Sequence, residues 1–336
     1  MLVSAWAGDE LRDAVARGLV PRPEFLELEK EHGVDILDWS RLGRGRRRSR
    51  ALALRHAAAG FRRVRDYDVV FSDGEHVGIP LALALRPLSR PPTHVVIGHH
   101  LSARKKEFFF RRLKVHSRMN RILVHSRVQL EVAATRLGIG RERIQFVPYG
   151  ADTRFWRPVD RPEEAVIVSA GREHRDYAVL ARACAGLDHR LFIAAGSVYS
   201  PHADCTLPPA DSEAVVRQVD HVTLRNWYAM ARVVVVPLLP NDFQAGITTI
   251  LEAMAMQKAV VVTATEGQRD VVVNGETGLL VAPGDVDGLR KALETLIAQP
   301  AERERLGRNA RRAVEERFSL EAYVSVLAAS LGIAAA

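Results

Sequence analysis

Short apolar runs recur along the whole chain, and between them apolar positions fall at helical spacing. In the first half the runs are Leu2–Ala5, Val34–Leu37, Tyr67–Phe71, His94–Gly98, Arg121–Val124 and Ile144–Val147. In the second half they are Val166–Ala170, Leu191–Ala195, His221–Leu224, Val233–Leu239, Ala259–Thr263 and Leu279–Val281. Helical patterns are predicted at Arg22–His32, from Val77, from Arg127, at Ala178–Ala185, Trp227–Ala231, Ile247–Met256, Val286–Ala298, Ala301–Phe318 and Leu320–Ile333. Strands alternate with helices throughout, which predicts an α/β fold of parallel sheets covered on both faces. Pro148, Gly150 and Pro158 break the pattern near the middle. The expected division is a domain over 1–155, a second over 156–318, and a terminal helix over 319–336.

Candidate chemistry is densest in Val233–Thr263. There a strand leads through the small turn Gln244-Ala245-Gly246 into a helix beginning at Ile247, with Thr248 and Thr249 in its first turn. A helix start offers unpaired backbone N–H groups and the positive end of the peptide dipole, which together suit a phosphate. Glu252 follows one turn later, where a carboxylate can accept two hydroxyl donors from a ribose. Taken alone, the same stretch also reads as an ordinary βαβ unit.

Other strand ends carry polar residues, the place where open α/β sheets bind ligands. Asp73, Glu75 and His76 follow one strand; they face a cleft or cap the next helix. His99 and His100 follow another. Gly171-Arg172-Glu173-His174-Arg175-Asp176-Tyr177 follows Val166–Ala170, and Gly196-Ser197 follows Leu191–Ala195. No His, Cys, Asp or Glu cluster has metal-ligand spacing.

The 336 residues allow two domains of ordinary size, and 47% are hydrophobic. No apolar run is long enough to span a membrane. Acidic residues come too early in MLVSAWAGDE for a signal peptide, and two cysteines give no disulfide framework. A cytoplasmic location is expected. The net charge of +8 is uneven: residues 1–160 hold 30 Lys and Arg against 18 Asp and Glu, the remainder 18 against 22. Much of the excess lies in Arg41–Arg50, with six arginines, and in Arg104–Arg121, with eight cations around Phe108, Phe109 and Phe110. The first segment is either a solvated loop or a contact with an anionic surface, membrane lipid or nucleic acid. Read as a helix, the second is either a core helix with a solvated basic face or an interfacial helix on anionic lipid. Three adjacent phenylalanines cannot share one helical face, so some are expected to be exposed. Nucleic acid is the less favoured partner, because no recognised binding module is present.

The Val233–Thr263 stretch resembles the donor-site signature of family 4 glycosyltransferases. These are nucleotide-sugar-dependent, retaining enzymes of the B-type architecture, with two Rossmann-like domains facing a central cleft. Their pattern is a glutamate, a Gly-containing turn and a second glutamate eight positions after the first, then Ala-Met-Ala. Here the second glutamate is Glu252, followed by Ala253-Met254-Ala255, and the first position is Gln244. VPYGADTRFWRP resembles the family's interdomain passage, and VVVNGETGLLVAPGD matches its second-domain ending. The resemblance covers roughly residues 66–325.

The resemblance implies a donor site formed by Gln244, Ala245, Gly246, Ile247, Thr248, Thr249 and Glu252. Arg172 would clamp the donor diphosphate, His99 would hydrogen-bond the sugar, and the terminal helix would return to the first domain. The family's lysine five positions after the arginine is Tyr177 here. Arg175 is the substitute candidate, the alternative being a surface salt bridge to Glu173 or Asp176. Asp73, Glu75 and His76 are the acceptor-side candidates. The partners implied are a nucleotide sugar and a lipid, saccharide or small-molecule acceptor, with no metal or other cofactor expected. Gln244 keeps open a nucleotide-sugar-binding protein with weak or no catalysis; a phosphorylase or epimerase on the same fold is a further alternative.

Overall fold

The computed structural model describes residues 1–42, 50–195 and 205–333. Most of the arginine cluster at 41–50, and the Gly196-Ser197 turn, lie outside them. The chain divides into two compact units. The first comprises residues 1–18, 22–148 and 321–336, and the second residues 19–21 and 149–320.

The first unit holds a six-stranded parallel sheet of β1 (Leu2–Val3), β2 (Leu37–Asp38), β3 (Val69–Ser72), β4 (Thr93–Gly98), β5 (Arg121–Val124) and β6 (Ile144–Phe146), in the order β2-β1-β3-β4-β5-β6. The second holds β7 (Val166–Ala170), β8 (Arg190–Ala194), β9 (Val215–Arg217), β10 (Val233–Val236), β11 (Ala259–Thr263) and β12 (Leu279–Val281). Their order is β12-β11-β10-β7-β8-β9, again all parallel. β7, β10 and β11 are buried along their whole length, as runs such as VVVV and AVVVT require. Helices cover both faces, in two separate apolar layers.

Each strand order reverses once. In the first unit this happens between β1 and β3, in the second between β7 and β10. Open parallel sheets form a crevice beyond the strand carboxyl ends at such a point. Ser4 and Asp73 stand at the first, and Gly171–Arg175 and Leu238–Gly246 at the second.

Two predicted elements differ from those observed. His221–Leu224 is not a strand: His221–Met230 is a helix, and the edge strand lies earlier at Val215–Arg217. Asp220 decides it, because its carboxylate accepts the Thr223 amide at 2.7 Å and caps the helix start. Arg104–Arg121 is also not one helix. A turn at Arg104–Glu107 runs into a π-helical turn at Phe108–Arg112, then Lys114 adopts φ 45° and breaks it. Burial of Phe110, Val115 and Met119 fixes the broken path. A helix at Arg50–Arg63, which the sequence reading left unassigned, packs against the Glu75–Ala84 helix.

Candidate functional site

In the second unit the turn after β7 folds over the end of β10. Leu239 N donates to His174 O at 2.9 Å, and Asp176 N to Pro237 O at 3.1 Å. This carries Arg175 inward, where the residue is 2% exposed. Its Nε donates to Ala170 O at 2.9 Å, Nη1 to Glu173 O at 2.6 Å and Nη2 to Thr249 Oγ1 at 3.3 Å. The salt bridge to the Glu173 or Asp176 carboxylate is therefore not formed. All three acceptors are uncharged. The cation sits beneath two glycines in the left-handed region, Gly171 (φ 96°) and Gly246 (φ 82°). A Cβ on Gly246 would meet Arg175 Nη1 and Nη2 at 3.1 and 3.2 Å.

Gly246 is the N-cap of the Ile247–Ala255 helix, and no side chain caps it. The helix start thus lies open beside a buried positive charge that no carboxylate hydrogen-bonds among the described residues. Thr248 is exposed and Thr249 buried, with the Thr249 hydroxyl donating to Ala170 O. Arg172 is half-buried on the same turn and donates no hydrogen bond among the described residues.

Tyr177, at the position of the missing lysine, is 1% exposed, and its hydroxyl donates to Gly171 O. Burial pushes its pKa up to about 12. It fills the space under the turn as a neutral strut.

Glu252 lies on the first helix turns and accepts the Tyr228 hydroxyl at 3.2 Å. Burial pushes its carboxyl up to about 8, against the weaker downward pull of that hydrogen bond and of Arg175. Tyr228 is fully buried against Trp156, with ring centroids 5.7 Å apart. The sequence reading missed Tyr228, because nothing in HVTLRNWYAM marks it off from an ordinary packing residue.

The loop after β11 closes the site from the other side. Gln268 Nε2 donates to Ala245 O, so the Gln244–Gly246 turn is held through its backbone. This residue was also missed: Glu266–Asp270 carries no motif of its own.

In the first unit, Asp73 accepts the backbone N–H of Ser4 and the Ser4 hydroxyl, the latter at 2.7 Å. It ties β3 to β1 and leaves the Glu75–Ala84 helix without a side-chain cap. Glu75 is 4% exposed and pairs with Lys106 Nζ at 2.7 Å while accepting His100 N at 2.8 Å. Burial would raise its pKa, but Lys106 and His99 outweigh it and hold the carboxyl well below the usual range. Glu75 therefore braces the turn after β4 from inside and does not face a cleft. His76 and His99 are exposed. His99 Nε2 donates to Asp73 O at 2.8 Å, which fixes the tautomer of its ring. Its neighbour His125 is buried, donates Nδ1 to Val147 O at 2.9 Å, and is pushed by burial down to about 3, so it stays neutral. Glu24 belongs to the same neighbourhood. Burial raises its pKa, its own backbone N–H opposes, and Asp73 and His99 act on it in opposite directions.

A family model described as Glycosyltransferase Family 4 matches residues 12–155, and one described as glycosyl transferases group 1 matches residues 162–299. The chain belongs to the group 1, family 4 glycosyltransferases. It is 33% identical over 213 residues to a GDP-mannose-dependent alpha-mannosyltransferase of Mycolicibacterium smegmatis, covering 60% of this chain and 54% of that one. It is 37% identical over 106 residues to the lipopolysaccharide core biosynthesis mannosyltransferase LpcC of Rhizobium leguminosarum bv. viciae, covering 32% and 29%. The chain thus spans less than two thirds of the length of these curated relatives. Anabaena HepE, solved with UDP and glucose, superposes with a TM-score of 0.71 at 15% identity over 98% of both chains. That likeness shows the fold, which HepE shares with other B-type glycosyltransferases.

Proposed function

We propose that this family member transfers a hexose from a nucleotide-diphosphate sugar to a lipid, saccharide or small-molecule acceptor, with retention of configuration. The observation that carries the reading is the uncapped start of the Ile247–Ala255 helix beside Arg175, a buried cation hydrogen-bonded only to uncharged oxygens. A buried charge with no carboxylate hydrogen-bonded to it is costly, and a diphosphate at the helix start supplies a direct counter-ion. When the C1–oxygen bond breaks, negative charge grows on that diphosphate. Preorganised positive groups facing such charge often make the largest catalytic contribution. Arg175 acts through its field from below, and half-exposed Arg172 by direct contact. Glu252 takes the ribose, and Gln244 the sugar. His99, His76 and Asp73 are the first unit's candidates for the sugar and acceptor sides. No metal is required in this scheme. The names of the two mannosyltransferases and the HepE complexes with UDP and UDP-glucose support a nucleotide hexose as donor.

Calorimetric titration with UDP, GDP, ADP and their glucose and mannose conjugates tests the reading. One nucleotide is expected to bind at micromolar Kd. Arg172→Ala should weaken it about tenfold or more, as loss of a charge-assisted phosphate contact does. Binding of none of the ligands would overturn the donor site. Nucleoside diphosphate released only when acceptor is present would set transfer apart from epimerisation or mere binding.

A specific observation also favours the anionic membrane surface as a partner. Phe108 is 56% exposed, edge-to-face on Phe109, while Phe110 is buried. Exposed Arg104, Lys105, Arg111, Arg112 and Lys114 flank it in the chain. No helix among the described residues is long and apolar enough to cross a membrane. Phe108→Ser is expected to lower cosedimentation with phosphatidylglycerol vesicles severalfold without changing the melting temperature. Unchanged cosedimentation would remove lipid docking through this segment.

A further inference from the structure

Four polar side-chain atoms with no hydrogen-bond partner among the described residues lie buried in two abutting loops of the second unit: Asn241 Oδ1, Gln244 Oε1, Thr265 Oγ1 and Gln268 Oε1. Gln268 and Thr265 are 2% and 4% exposed. The loops touch closely. Gly267 N donates to Asn241 O at 3.4 Å, and a Cβ on Gly267 would fall 1.8 Å from Phe243 O.

For two of the four atoms, the element at the free end is fixed. Asn241 Nδ2 is spent on Leu239 O at 2.7 Å, and Gln268 Nε2 on Ala245 O. Flipping either amide would set oxygen against oxygen, so both free ends are carbonyl oxygens, which only accept. A buried acceptor with no donor is destabilising, and native proteins rarely keep several together. What such a group lacks is a ligand rich in O–H donors. Phosphate oxygens and carboxylates are excluded as partners of the two amide oxygens, since they bring more acceptors.

We infer that Asn241, Thr265 and Gln268, with Gln244, form a neutral acceptor rim that takes the hydroxyls of the donor sugar. The inference rests on the donor-site reading above and extends it to the loop after β11. All four atoms are shut off from solvent, so sugar entry includes a small parting of loops 241–246 and 265–268. The rim carries no charge of its own, and it selects an uncharged, hydroxylated ring.

Thr265→Val is the cleanest test, because the hydroxyl it removes has no partner within the described protein. The variant should melt at the wild-type temperature or above. The full chain and the variant are titrated with UDP, GDP and ADP, and with the glucose and mannose conjugates of whichever binds. Wild type is expected to bind the better conjugate more tightly than the bare diphosphate. Thr265→Val should lose about fivefold in affinity for the conjugate and nothing for the diphosphate, the usual effect of one neutral hydrogen bond. A parallel loss for both ligands would mean that Thr265 only shapes the loop, and would overturn the inference. No loss for either would show that the rim holds no sugar hydroxyl at this position, and would overturn it too. Both results leave the donor site itself standing. Failure of wild type to bind any nucleotide removes that site and the rim with it.

Discussion

Gly267→Ala is expected to weaken nucleotide binding by at least tenfold and to destabilise the second unit by about 1–3 kcal/mol, the range seen when atoms are forced into a packed contact. The cause is backbone against backbone. A Cβ at position 267 would lie 1.8 Å from Phe243 O, 2.4 Å from its carbonyl carbon and 2.8 Å from its nitrogen. No rotamer change relieves such a clash, so loop 265–268 must retreat. Retreat breaks the Gln268–Ala245 hydrogen bond, and Ala245 immediately precedes the Gly246 turn that opens the helix start. Thermal melting measures the first effect and calorimetric titration the second. A variant that melts lower yet binds the nucleotide normally would show that the helix start keeps its geometry without the neighbouring loop.

How legible the molecule is in its sequence follows from where each determinant lies. Strand runs such as VVVV and AVVVT are solvent-free on both faces, so composition alone marks them as buried parallel strands. The Gln244–Thr249 turn is equally legible, because helix starts have local signals. Distance in sequence defeats the rest. Arg175 reads either as a diphosphate clamp or as a surface partner of Glu173 or Asp176, and a turn folded over β10 instead buries it against Thr249. Glu75 reads as a cleft carboxylate or a helix cap, and Lys106, arriving from another segment, makes it neither. Tyr228 and Gln268 act through single contacts to Glu252 and Ala245, and no pattern within their own elements announces either. His221–Leu224 has strand-like residues, but one capping carboxylate at Asp220 outweighs their preference.

Glu252→Gln should make the protein more stable and bind nucleotide worse, with both effects growing as pH rises. Burial holds the Glu252 carboxyl near 8 instead of its ordinary 4.5, despite the Tyr228 hydroxyl and the Arg175 charge. A carboxyl whose pKa is raised by folding binds its proton more tightly in the folded state. Its contribution to stability is therefore fully present below about pH 4.5, declines as pH climbs, and is lost above 8. Glutamine does not titrate and still accepts the Tyr228 hydrogen bond. The variant should melt above wild type at pH 9, with the gap narrowing toward pH 5. Binding runs the other way. Two ribose hydroxyls donate best to an ionised carboxylate, which offers only acceptors. Nucleotide binding should then release a proton, and wild-type affinity should rise from pH 6 to 8 and level off above it. Hydrogen bonds to a charged group contribute about 1.5–3 kcal/mol, so the variant should bind at least tenfold more weakly at pH 9 and show little pH dependence. Titrations at pH 6 and 9, repeated in buffers of different ionisation enthalpy, report affinity and proton release together. Wild-type affinity independent of pH, with no proton exchanged, would mean that Glu252 meets the ribose as a neutral acid or does not meet it at all.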